Sequence, residues 1–192
     1  MNVKFALWAA LSLCAAIVLS GCTTAPAEPQ ARALLSAETT EAIAIFKQKD
    51  PGIERFFNDS YAYAVLPEVG KGAILVGWAY GKGEVFVKNE MVGYCSVDQG
   101  TLGASLGGEY YREIVFFRDK PDFDKFTMGE YTFTAQFTAV AAKAGVAAKS
   151  DYKAGMAVFV TMDNGLMADI SLGGQKFRYL SKAMVEEEGK SK

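Results

Sequence analysis

Two carboxylates four residues apart, Glu109 and Glu113, are the kind of pair from which acid–base chemistry is built. On a strand they share a face but stand two pleats apart, and nothing beside them marks a sugar-binding groove. The expectation is two solvated acids. Asp119, Asp122 and Asp124 gather oxygens as a hard cation would require. They lack the glycine and closing glutamate of a calcium loop. Beside Pro121 they are better placed to cap a short helix and offset its dipole. Cys95 lies in an alternating segment next to Tyr94. A reactive thiolate needs a base or cation nearby, so the expectation is a buried, inert thiol. The chain has no histidine. That removes Ser-His-Asp and Cys-His catalysis, histidine-ligated zinc and a histidine pH switch. No catalytic residue, metal ligand or cofactor is expected, and the chain reads as non-enzymatic.

Gly70-Lys71-Gly72 and Gly81-Lys82-Gly83 resemble phosphate-cradling loops at first sight. Neither continues into a dinucleotide or P-loop pattern, and neither opens a helix, where anions gain from backbone N–H groups. They read as tight β turns. Lys71 and Lys82 on such turns can meet lipid phosphates at an anionic surface. Trp78 and Tyr80 lie between them and suit a membrane–water boundary. These four residues are the expected lipid-contact surface.

The N-terminus carries one lysine, Lys4, followed by an apolar run over residues 5–19 broken only by Ser12. This is the pattern of a secretory signal and is too short for a comfortable span. Leu19-Ser20-Gly21-Cys22 resembles the lipobox of bacterial lipoproteins. That resemblance implies cleavage before Cys22, a diacylglyceryl group on its thiol and acylation, for example with palmitate, of the new amine. Several acyl chains on one residue hold far more firmly than one. Thr23, rather than Asp, comes after the cysteine, which by the same resemblance favours an outer membrane and a domain facing the periplasm.

The expected organisation is a signal over residues 1–21, a lipidated N-terminus and flexible tether over 22–35, one domain over 36–182 and a charged tail over 183–192. Pro26 and Pro29 suggest the tether. Losing Lys4 from 20 Lys plus Arg against 22 Asp plus Glu leaves a net charge of about −3, so no nucleic-acid partner is expected. Of three cysteines, Cys14 leaves with the signal and Cys22 is lipidated. Cys95 has no partner for an internal disulfide.

Residues 36–49 place Ala42, Ile43, Ile45 and Phe46 mostly on one helical face. Asp50-Pro51 starts a second short helix. From Tyr61 onward the chain reads as glycine-punctuated strands: 61–66 closed by Pro67, 73–80, 83–87, 91–97, 101–107, 110–117, 131–142, 155–162, 166–172 and 176–180. Turns are expected at 88–90 and at Asp163-Asn164-Gly165. A helical turn is expected at 121–126, and a loop at 143–153. So many strands with short links argue for an α+β fold, a predominantly antiparallel sheet or barrel-like body covered by N-terminal helices.

From about residue 53 to 180 the chain resembles the SYLF-domain family. The matching segments are Ala62-Tyr63-Ala64-Val65-Leu66-Pro67, Gly70-Lys71-Gly72-Ala73, Gly77 with Gly81-Lys82-Gly83, and the glycine-rich run over 100–108. Val115-Phe116-Phe117 with Phe123-Asp124-Lys125-Phe126, Asn164-Gly165-Leu166-Met167-Ala168 and Ser171-Leu172-Gly173-Gly174 continue the match. The resemblance implies phospholipid binding, no cofactor and no known reaction. Gly173 stands where the family often has Glu. The first helix, with Glu38 and Glu41, is a poor basic membrane-binding helix, so phosphoinositide preference is not carried over. The expected function is a lipid-anchored envelope lipoprotein whose domain binds membrane phospholipid. The alternatives are a carrier or sensor of a hydrophobic ligand, and a structural lipoprotein holding an envelope protein partner.

Overall fold

The computed structural model describes residues 24–73, 76–102, 107–129, 132–133, 140–141, 143–162 and 175–190. Cys22, the signal, the turn at 163–165 and the strand at 166–172 lie outside them. The first helix, α1, spans Pro29–Lys49 and begins seven residues earlier than its apolar pattern suggests. Pro29 takes the first helical turn, where a missing N–H costs nothing. Residues expected to belong to a flexible tether are therefore helical from Pro29 onward. Lys47 and Lys49 close the last turn against the dipole.

Asp50 ends α1 and organises two turns, one directly after it and one far along the chain. Its carboxylate, fully buried, accepts from Gly52 N at 3.1 Å, from Gly145 N at 3.1 Å and from Ala147 N at 2.6 Å. It caps the 3-10 turn Pro51–Ile53 and, in the same act, ties in the 3-10 turn Ala147–Lys149. Helix α2 (Glu54–Asp59) comes directly after the first of these. Asp50→Asn replaces one acceptor oxygen by an amide that opposes the Ala147 N–H. The variant is expected to lose about 2 kcal/mol, read as a lower urea midpoint at unchanged slope.

Eight strands pair into one sheet among the described residues, in the order β5-β8-β3-β2-β1-β4-β7-β6. They are β1 (Ala62–Ala73), β2 (Val76–Val87), β3 (Glu90–Leu102), β4 (Gly107–Phe117), β5 (Thr132–Phe133), β6 (Val140–Ala141), β7 (Met156–Thr161) and β8 (Gln175–Ser181). All neighbours are antiparallel except β6 with β7. Helix α3 (Lys120–Thr127) lies between β4 and β5, and α4 (Lys182–Lys190) comes after β8. The α+β, largely antiparallel expectation holds. Lys88 and Asn89 make the β2–β3 turn with φ of 50° and 67°, the left-handed pair a two-residue hairpin demands.

Strand boundaries differ from the sequence reading at several points, one being β3, which runs unbroken through residues 98–100. Pro67 does not end β1: the register slips between Val65 and Glu68, and the proline sits in that bulge. Gly81-Lys82-Gly83 is not a turn but the interior of β2, opposite the bulge. A Cβ on Gly81 would come within 2.7 Å of the Glu68 carbonyl oxygen, and one on Gly83 would overlap the Val65 carbonyl. These glycines let two backbones approach. Gly70-Lys71-Gly72 likewise lies inside β1.

The sheet must curl. Seven strand spacings would set the edges of a flat sheet about 34 Å apart. Phe133 on one edge and Val140 on the other are joined by a stretch that reaches ~25 Å at most. The concave side holds Ala64, Leu66, Val85, Cys95, Val115 and Val158, with Phe123 and Phe126 of α3 closing one end. The convex side is covered over β1, β4 and β7 by Phe46, Ile53, Phe56 and Phe57 from the N-terminal helices. There Phe56 meets Phe159 and Phe57 meets Phe116, each at 4.9 Å between ring centres. Ala25, Leu35, Tyr94 and Val185 form a smaller cluster that holds α4 to the start of the fold.

Candidate functional site

The N-terminal helices leave part of the convex side uncovered. In register, Trp78 stands opposite Gly72, and Tyr80 opposite Gly70; Gly70 in turn faces Tyr110 on β4. A Cβ on Gly70 would lie 3.2 Å from the Tyr110 ring, so that ring rests over the glycine. Trp78 and Tyr80 rings are 6.1 Å apart. Trp78 is 58% exposed and Tyr110 65%. The outcome is an aromatic strip across three strands, floored by glycine. Isolated exposed apolar residues are ordinary, but a contiguous aromatic group marks a contact surface.

A groove of about 340 Å³ opens at the end of this strip. Pro26 and the α1 residues Ala31, Leu34, Leu35 and Glu38 form one side; Pro67, Glu68, Tyr80 and Lys82 form the other. Leu34 is 60% exposed. Lys82 faces Glu68 across the β1–β2 ladder. Pro26 lies four residues after Cys22, so the expected lipid attachment point is within ~14 Å of the groove wall.

Of the four residues expected to meet lipid, Trp78, Tyr80 and Lys82 occupy alternate positions of β2 and therefore share the convex face. Lys71 pairs with Ala79, which belongs to the opposite, concave alternation, so its backbone position is not with the other three. Its side chain is outside the described residues. Sequence reasoning misses Tyr110, Leu34 and the groove. Tyr110 joins Tyr80 only through the β1–β4 register, which no local pattern carries.

Glu113 corrects a second expectation. It is not solvated: it lies on the concave face and is fully buried. Gln175 Nε2 donates to Glu113 Oε2 at 3.0 Å and to Tyr111 Oη at 3.3 Å. Burial pushes the Glu113 carboxyl up to about 7, partly offset by the Gln175 amide. Burial and the Glu113 charge push the Tyr111 phenol up as well. Cys95 is fully buried, as expected, and its thiol is raised by burial and by the charges of Glu113 and Glu84. The side chain of Glu109 is outside the described residues.

The aspartates at α3 serve the helix. Asp119 Oδ1 accepts from Asp122 N at 3.0 Å, Lys120 bonds Asp124 at 2.7 Å, and Arg118 and Lys125 each approach Asp122 to 3.6 Å. Backbone donation from Asp122 holds the Asp119 carboxyl below its usual value. Among the described residues no helix is long and apolar enough to cross a membrane. Such a result leaves strand-based insertion untouched.

No family model matches the chain. It is 26% identical over 158 residues to Beta cell expansion factor A of Aeromonas veronii, covering 82% of this chain and 60% of that protein. The chain thus spans less than two thirds of that relative's length.

Proposed function

We propose that this chain is a non-enzymatic envelope lipoprotein of SYLF type, anchored through Cys22, that meets the bilayer with the Trp78–Tyr80–Tyr110 strip. The observation that carries the reading is the strip itself. Trp78 and Tyr110 are exposed on one sheet face, with half-buried Tyr80 in register between them, beside a groove that Pro26 of the N-terminal segment lines. Trp and Tyr favour the interfacial layer because each has an apolar body and a polar tip. The lipid on Cys22 would hold the domain at the outer membrane, on the periplasmic side, and the strip would orient it there.

The chain from Thr23 onward contains every described residue and keeps Trp78 as its single tryptophan. Its emission is expected to shift blue on mixing with phospholipid vesicles. Replacing Leu34 and Tyr110 together by serine should weaken vesicle binding about tenfold. The midpoint of thermal unfolding should hardly move, because both side chains are exposed. Absence of any emission shift or flotation with every vesicle type would overturn the proposal.

A further inference from the structure

We infer that the groove between α1 and the β1–β2 ladder takes the headgroup of a zwitterionic phospholipid, with its ammonium on Glu38 and Glu68 and its phosphate on Lys82. This rests on the bilayer reading and narrows it to a lipid class. The groove carries two carboxylates and one ammonium, a sign that disfavours anionic headgroups and suits a cationic end. Glu68 and Lys82 stand directly opposite one another in the ladder. An acid and a base thus sit side by side, as the charges of an aminophospholipid headgroup do. Tyr80 forms part of the wall, and an aromatic face adds attraction for an alkylammonium. At about 340 Å³ the groove is at the small end of ligand sites, which run roughly 300–1,000 Å³. That space suits a headgroup and its first methylenes against Leu34 and Pro67, not two acyl chains. The source is a lipid in the bilayer because the groove opens onto the aromatic strip and lies within the short reach of Cys22.

This reverses the charge preference expected from Lys71 and Lys82 together. Only Lys82 lines the groove, and Lys71 holds a position of the other alternation.

The test uses the chain from Thr23 onward with three vesicle types: phosphatidylcholine alone, with phosphatidylethanolamine, and with phosphatidylglycerol. Binding is read from Trp78 emission and by flotation. The expected result is equal or tighter binding to the ethanolamine vesicles than to the glycerol ones. The double variant Glu38→Gln with Glu68→Gln should lose about tenfold affinity for zwitterionic vesicles and gain affinity for phosphatidylglycerol. Both acids are exposed, and an unchanged thermal midpoint checks that the variant is folded. Preference of the parent for phosphatidylglycerol, or a double variant that binds zwitterionic vesicles as the parent does, overturns the inference and leaves the bilayer reading standing. Failure to bind all three vesicle types overturns both.

Discussion

Glu113→Gln is expected to flatten the pH dependence of stability between pH 4.5 and 7 and to make the protein more stable than its parent above neutrality. The carboxyl ordinarily titrates at 4.5 and is pushed up to about 7 by burial in the concave core. Between those two values the native state holds a proton that the unfolded chain has released. Stability therefore falls as pH rises through this window and levels off above the native value. A shift of this size corresponds to about 3 kcal/mol. Gln has the shape of the protonated acid and never ionises, so the variant should track the parent at low pH and separate from it as pH rises. Glu84, at the α1 contact, is raised by burial too, with Thr39, Ser36 and Lys182 opposing. Its contribution has the same sign and should persist in the variant as a residual slope. Urea titrations at a series of pH values decide the matter. Parallel profiles for parent and variant would show that Glu113 is ionised in the fold at no cost.

The second large effect belongs to the glycine facing the β1 bulge. Gly83→Ala should destabilise by about 3 kcal/mol or more, because the added carbon meets the Val65 carbonyl and the Leu66 Cα rather than a movable side chain. Relief would require β1 and β2 to separate, and their ladder runs the full length of both strands. The comparison is Gly129→Ala. Gly129 has φ of +71° but nothing within 4 Å of its Cβ position, so only backbone strain of roughly 1–2 kcal/mol is at stake. Chemical denaturation of the pair separates steric overlap from backbone preference. If both cost the same, the close approach at the bulge has no energetic weight.

These residues also mark how far the fold is legible in the sequence. Features set by near neighbours can be read. Asp50-Pro51 announces a cap, Asp119 before Pro121 announces another, and Lys88-Asn89 sits at a hairpin tip, because each depends on a few consecutive dihedral angles and one local hydrogen bond. Pro67 misleads because a proline that ends a strand and one that sits in a bulge have the same neighbours in sequence. What distinguishes them is Gly83, sixteen residues away, which leaves room for the slip. Glu113 looks exposed in the sequence because its hydrogen-bond partner, Gln175, is 62 positions downstream. The candidate site shares this property. Trp78, Tyr80 and Lys82 are visible as one short run, whereas Tyr110 and Leu34 reach them only through strand pairing and helix docking.

The curled sheet also imposes a sequence of events on the growing chain. Among the described residues, β5 and β6 precede in the chain the strands they pair with, β8 and β7. Among the described residues, β5 and β6 have no ladder to join until β8 and β7 have emerged, and β3 and β4 each keep a flank of amide and carbonyl groups that those strands later pair. These are long-range pairings, and they add the outer strands of the sheet late in the order of the chain. A nascent or truncated chain lacking β8 would present an adhesive edge on β3 to any neighbouring strand.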